Sequence, residues 1–114
     1  MFCLNDTEGL RTLTRGPGVY SIFSITEPKH YVGKSLTLRD RIWAHRNALR
    51  RVGHHSYKLQ AYYTQKGETN LYVSVLDAGE DIYLDRQERY YFAIYDSILN
   101  GFNNPPGYGG NARY

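Results

Sequence analysis

Two phenols, a guanidinium, closely spaced imidazoles and a solitary carboxylate are the groups in this chain whose types and spacing could do chemistry. Gly18-Val19-Tyr20 and Tyr31-Val32-Gly33 each set a tyrosine beside valine and glycine. Arg41 and His45 lie four residues apart, so they are neighbours on a helix. Arginine's planar fork grips phosphate oxygens in pairs and stays charged. A histidine beside such a phosphate can donate a hydrogen bond or move a proton. His54 and His55 precede a helix whose start could also meet phosphate. Glu88 falls in the apolar stripe of a later helix, where a carboxylate is costly unless paired. One carboxylate suits Mg²⁺, which keeps its waters and shares substrate phosphate, whereas the histidines lack a zinc spacing. Each group also has a plainer reading: strand packing for the tyrosines, a surface arginine, a core or loop histidine, a salt bridge from Glu88 to an arginine.

The elements that must position these groups follow from pattern. Gly18–Ile25 and His30–Val32 read as two strands of a hairpin turned at Glu27-Pro28-Lys29. If they pair suitably, Tyr20 and Tyr31 project toward one site. A phenol acting as a base needs help from a nearby cation or metal-bound water, and Lys34 could supply part of that field. Leu38 to Arg51 reads as a helix capped by Thr37, with Leu38, Ile42, His45, Leu49 and Val52 along one stripe and Arg39, Arg46 and Arg50 on another side. A second helix is expected over Ser56–Gln65, a third strand where Leu71, Val73 and Val75 alternate with Tyr72, Ser74 and Leu76, and a third helix over Ile82–Asn100 ended by Gly101. On that helix Leu84, Glu88, Tyr91 and Tyr95 share a stripe. Residues 1–17 read as an extension with a short helix capped at Asn5-Asp6-Thr7, and the Pro- and Gly-rich stretch 105–114 as an irregular tail.

At 114 residues the chain can build one compact domain, and its single Cys3 can form neither an internal disulfide nor a zinc site alone. No apolar run is long enough to span a bilayer and no secretory signal is evident, so an intracellular, cytoplasmic protein without a membrane partner is expected. Net charge is only +3 but unevenly placed. Lys29, Lys34, Arg39, Arg41, Arg46, Arg50, Arg51 and Lys58 stand against Asp40 alone, while Glu68 to Glu88 is acidic but for Arg86. Such a basic third could hold a polyanion.

This ordered set resembles the GIY-YIG nucleases, most of all the nuclease domain of phage-type homing endonucleases. Gly-Val-Tyr and Tyr-Val-Gly stand for the signature. Arg41 and His45 match the helix pair, and His54, or His55, stands before Lys58-Leu59-Gln60. Glu88 precedes Arg89-Tyr90-Tyr91-Phe92, and Gly101-Phe102-Asn103 closes the domain with Phe102 in place of a tyrosine. The resemblance implies an α+β fold, a small three-stranded antiparallel sheet flanked by helices over residues 18–104. It also implies metal-dependent hydrolysis of DNA phosphodiesters. Glu88 would hold one Mg²⁺ or Mn²⁺ and Tyr20 would activate water. Arg41 would neutralise phosphate charge, Tyr31, His45 and His54 or His55 would orient these groups, and Asn103 would support the site. Lys34, Arg39, Arg46, Arg50 and Lys58 are the cations expected to meet DNA. Homing enzymes of this family usually carry a separate recognition region. Specificity is therefore expected from this domain, a homodimer or a separate DNA-recognition partner, with nicking or double-strand cleavage both open. A non-catalytic DNA-binding module and a restriction- or repair-associated nuclease are the rival readings.

Overall fold

The computed structural model describes residues 1–80 and 83–105. The helix start expected at Ile82 and nearly all of the expected tail lie outside the described residues. The described chain runs β1 (Phe2–Cys3), α1 (Thr7–Arg11), β2 (Gly18–Ser24), β3 (His30–Ser35), α2 (Leu38–Arg50), α3 (Tyr57–Lys66), a single 3₁₀ turn over 68–70, β4 (Leu71–Ala78) and α4 (Leu84–Tyr95).

All four strands join one antiparallel sheet in the order β1-β4-β2-β3. The architecture is α+β, as expected, but the sheet has four strands and not three. The added strand is short: Phe2 pairs with Val73 and Cys3 with Tyr72. Two residues carry no alternation to recognise, and their partner lies about seventy positions away. Asp6 caps α1, its Oδ1 accepting the Gly9 N–H at 3.0 Å. Leu4, Leu10 and Leu13 from this first segment are buried with the main core.

The hairpin fixes the site's geometry. Tyr20 pairs with Gly33 and Ile22 with Tyr31, so both tyrosines stand diagonally on one face with ring centroids 6.5 Å apart. Against β4, Val19 pairs with Asp77 but Tyr20 with Val75. Leu76 is the extra residue of a bulge, a local bend that re-aims a side chain. Its carbonyl is held by the Tyr91 hydroxyl at 3.2 Å.

Helix α2 covers that face with Leu38, Ile42, His45 and Leu49, all fully buried. Full burial of each aliphatic side chain contributes roughly 1.5–3 kcal/mol. Two details differ from expectation. Thr37 occupies the N-cap position without a side-chain cap bond; instead its own N–H donates to Ser35 Oγ at 2.9 Å. Val52 leaves the stripe because the chain turns there with φ +57, and its side chain is exposed. Helix α4 stops at Tyr95, short of Asn100, because Asp96 takes the left-handed conformation (φ +48, ψ +43) and its N–H bonds back to the last turn. No described helix is long and apolar enough to cross a membrane.

Candidate active site

Tyr20 and Tyr31 are both fully buried between the sheet and α2. Gly33 is the reason Tyr20 can lie where it does. A Cβ at Gly33 would sit 2.5 Å from Tyr20 Cζ, so the phenol rests directly on a backbone that no other residue could offer. The Tyr20 hydroxyl meets His45 Nε2 at 2.5 Å. His45 Nδ1 meets His54 Nε2 at 2.7 Å, and His54 Nδ1 accepts the Ser56 backbone N–H at 3.0 Å. The Tyr31 hydroxyl meets His55 Nε2 at 3.0 Å. His54 thus connects to Tyr20 by way of His45, whereas His55 meets Tyr31 directly, and the sequence alternative between them becomes a division of partners.

The loop carrying them is tied at several points. Ser56 caps α3, its Oγ accepting from the Leu59 N–H at 3.1 Å and donating to the Phe102 carbonyl at 2.5 Å. Gln60 accepts the His54 N–H and donates to the Leu49 carbonyl, each at 3.1 Å. Asn104 Nδ2 donates to the His55 carbonyl at 3.0 Å. Ser56 and Asn104 were not singled out in the sequence. A serine just ahead of a helix is an N-cap signal, so Ser56 was recoverable; Asn104 offered none.

Asn103 is buried beside β3. Its Oδ1 accepts the Val32 N–H at 2.8 Å and its Nδ2 donates to the Val32 carbonyl at 2.9 Å. It steadies the residue between Tyr31 and Gly33 and touches neither phenol through these bonds. Gly101 lets this segment close, since a Cβ there would fall 2.6 Å from the His30 carbonyl.

Glu88 is the only residue of α4 that is buried. Its Oε1 lies 3.6 Å from Lys34 Nζ, and Lys34 also pairs with Asp85. The salt-bridge partner is therefore a lysine and not an arginine. Glu88 Oε2 is buried with no hydrogen-bond partner among the described residues. Burial raises the Glu88 pKa, while the Lys34 charge pulls it back. Glu88 lines a hollow of about 320 Å³ with Lys34, Asp85 and Arg89, and those three residues also line a groove of about 680 Å³ with Leu36, Arg41, Tyr83 and Arg86. Arg41's charge favours ionisation of Tyr20, whereas burial, the larger effect, and Glu88 raise the phenol's pKa. The charges of Arg41 and Glu88 both reach the Tyr20 hydroxyl, with opposite effect. Burial and neighbouring positive charge hold His45 well below its usual range, and burial brings His54 down to about 3, so both rings are neutral near pH 7. Among the described residues no group of three or more His, Cys, Asp or Glu is arranged to hold a metal ion.

The other expected cations are engaged within the chain. Arg39 Nε donates to the Leu13 carbonyl at 2.9 Å, and Lys58 Nζ to that of Ile98 at 2.6 Å. Arg46 is buried, its guanidinium 4.7 Å over the Trp43 ring and bonded to Thr7 Oγ1. Arg50 forms a two-pronged pair with Glu68 at 2.9 and 2.7 Å. Arg46 and Arg50 brace the N-terminal segment and the turn before β4.

The two-tyrosine hairpin, the helix behind it and Glu88 on α4 hold the groups that the sequence resemblance singles out. Residues 16–103 match the family model described as the GIY-YIG catalytic domain, and the chain belongs to the GIY-YIG family. Among solved structures it is similar to the catalytic domain of the homing endonuclease I-TevI, at 24% identity and a TM-score of 0.72, covering 78% of this chain and 98% of that one. It is also similar to a single-substitution mutant of the catalytic domain of the intron endonuclease I-TevI, at 26% identity and a TM-score of 0.67, covering 76% and 91%. No curated protein matches.

Proposed function

We propose that this protein is a divalent-metal-dependent DNA endonuclease, with residues 18–104 as its catalytic unit. The observation that carries the reading is Glu88 Oε2, buried without a hydrogen-bond partner among the described residues, in a hollow that shares Lys34, Asp85 and Arg89 with the groove Arg41 lines. An unsatisfied buried carboxylate oxygen is costly, and a cation resolves it. Glu88, as a lone oxygen donor, suits Mg²⁺ or Mn²⁺, one per site. Bound there, the ion would supply positive charge to a phosphate oxygen and to the departing 3′ oxygen.

The chain's own groups do the rest. Arg41 binds the phosphate oxygens and offsets charge that develops on them. Tyr20 activates the attacking water; its burial opposes ionisation, so this role depends on the positive charge gathered on the Arg41 side. Tyr31 and His55, bonded to each other, pack beside Tyr20 and His45. Arg86 and Arg89 are better placed than Arg46 or Arg50 to receive the flanking phosphates, because they line the groove itself. A cut confined to one site is a nick; paired copies, or a separate recognition partner, would yield a double-strand break or a chosen sequence.

Supercoiled plasmid incubated with Mg²⁺ or Mn²⁺ tests the reading. Wild type should give nicked or linear product, and Glu88→Gln should be slower by about 100-fold or more, the scale of losing one electrostatic catalytic element. Cleavage by neither protein with any divalent ion, or equal cleavage by both, would overturn it. Tyr20→Phe cutting at the wild-type rate would remove Tyr20 from the role of base.

A further inference from the structure

The bonds linking Tyr20 to α3 have a direction, and it is set outside the side chains. A backbone N–H can only donate. Ser56 N–H donates to His54 Nδ1, so that nitrogen carries a lone pair and the neutral ring holds its proton on Nε2. That Nε2–H must donate to His45 Nδ1. His45 in turn holds its proton on Nε2 and donates it to the Tyr20 oxygen. Every ring nitrogen of the two histidines is assigned by this one amide. Reversing any link would place two protons or two lone pairs face to face.

We propose that the Ser56 amide and His54 are the positioning elements that fix His45 as a hydrogen-bond donor to Tyr20. Two consequences follow. His45 is not the group that takes the Tyr20 proton, because the nitrogen facing Tyr20 already bears one. The hydroxyl proton of Tyr20 points away from the relay. The short donated bond gains strength as negative charge develops on the phenol oxygen, so the relay favours the phenolate that a base needs. The Ser56 amide is itself held by the helix cap and by the Phe102 bond, which makes the relay an outgrowth of the α3 N-terminus. This assignment rests on the nuclease reading for its meaning in catalysis but not for its geometry.

Imidazole ¹⁵N–¹H correlation spectra of the free wild-type protein at pH 7 test the geometry. His45 and His54 should both show protonated Nε2 and bare Nδ1. A protonated Nδ1 on His45 would overturn the proposal. Cleavage kinetics test the consequence. Gln at position 54 keeps an N–H where the imidazole Nε2–H stood, whereas Met keeps volume alone. His54→Met should lose about 100-fold in kcat, within the range for misplacing a proton-transfer group, with KM little changed. His54→Gln should cut about ten-fold faster than His54→Met, or more. In His54→Met, His45 should lose its single tautomer. Equal rates for the two variants beside an active wild type would sink the positioning role. A wild type that cuts nothing would defeat the nuclease reading instead, and the spectra would still decide the relay.

Discussion

Lowering the pH from 7 to 5 should destabilise this protein steeply, through two rings that cannot accept a proton where they stand. In the unfolded chain each histidine titrates near 6.5. In the folded protein His54 is brought down to about 3 and His45 well below its usual range, both chiefly by burial. The unfolded state therefore binds more protons below pH 6.5, and stability rises with pH through that window. The contribution is fully present above 6.5 and is lost as pH falls toward the folded values. Two protons give a limiting slope of about 2.7 kcal/mol per pH unit. Integrated from pH 7 to 5, His54 contributes about 2 kcal/mol, and His45 adds to it in the same direction. That is a large share of the roughly 5–15 kcal/mol that stabilises a typical domain. Half-buried His30 is shifted the same way and adds to the loss. Glu88 acts with the opposite sign, because its raised pKa lets the folded state take up a proton first. Urea unfolding at half-unit steps from pH 8 to 5 measures the slope, and His54→Gln should reduce it by one proton. A slope below one proton between pH 5.5 and 6.5, or rings that titrate near 6.5 in the folded protein, would refute the reasoning.

Three further outcomes are expected. Gly33→Ala drives a methyl into the Tyr20 ring, 2.5 Å from Cζ, and should cost about 1–3 kcal/mol and abolish cleavage; a variant that melts and cuts like wild type would contradict the stacking. Val52→Gly relieves a β-branched residue at φ +57 and should raise stability by about 1 kcal/mol in chemical denaturation. Arg50→Ala unpairs Glu68, whose carboxyl is held below its ordinary range mainly by the Arg50 hydrogen bonds. It should cost about 1 kcal/mol, allowing for solvent around the half-exposed guanidinium. That stabilisation is present above the usual carboxylate pKa and lost as pH falls through the lowered value, so the difference between Arg50→Ala and wild type should vanish in acid.

Much of the architecture was legible because it is periodic or local. Two glycine-flanked tyrosines announced the hairpin, and a 3.6-residue stripe placed Leu38, Ile42, His45 and Leu49 inward. Glu88 stood out because a carboxylate in an apolar stripe needs a reason. What could not be read depends on long-range pairing. β1 is too short to carry a pattern, and its partner strand is distant in the chain. The fate of the basic residues was equally hidden. Arg46 follows Trp43 by three positions, but only packing shows that the guanidinium is buried against the ring and bonded to Thr7. Helix α4 outran its true end in the sequence because its periodic signal does not register a left-handed aspartate.

The side-chain amide of Asn103 has a consequence for the molecule's life in solution. Among the described strands β3 is the outermost on its side, and an outermost strand offers free amides and carbonyls to any passing polypeptide. By occupying both polar groups of Val32, Asn103 imitates one residue of a fifth strand and terminates the ladder beside the catalytic face. With leucine in its place, Val32 would present an unsated peptide unit. The enzyme should then self-associate by sheet extension at that rim, clouding on concentration while its monomers retain their shape.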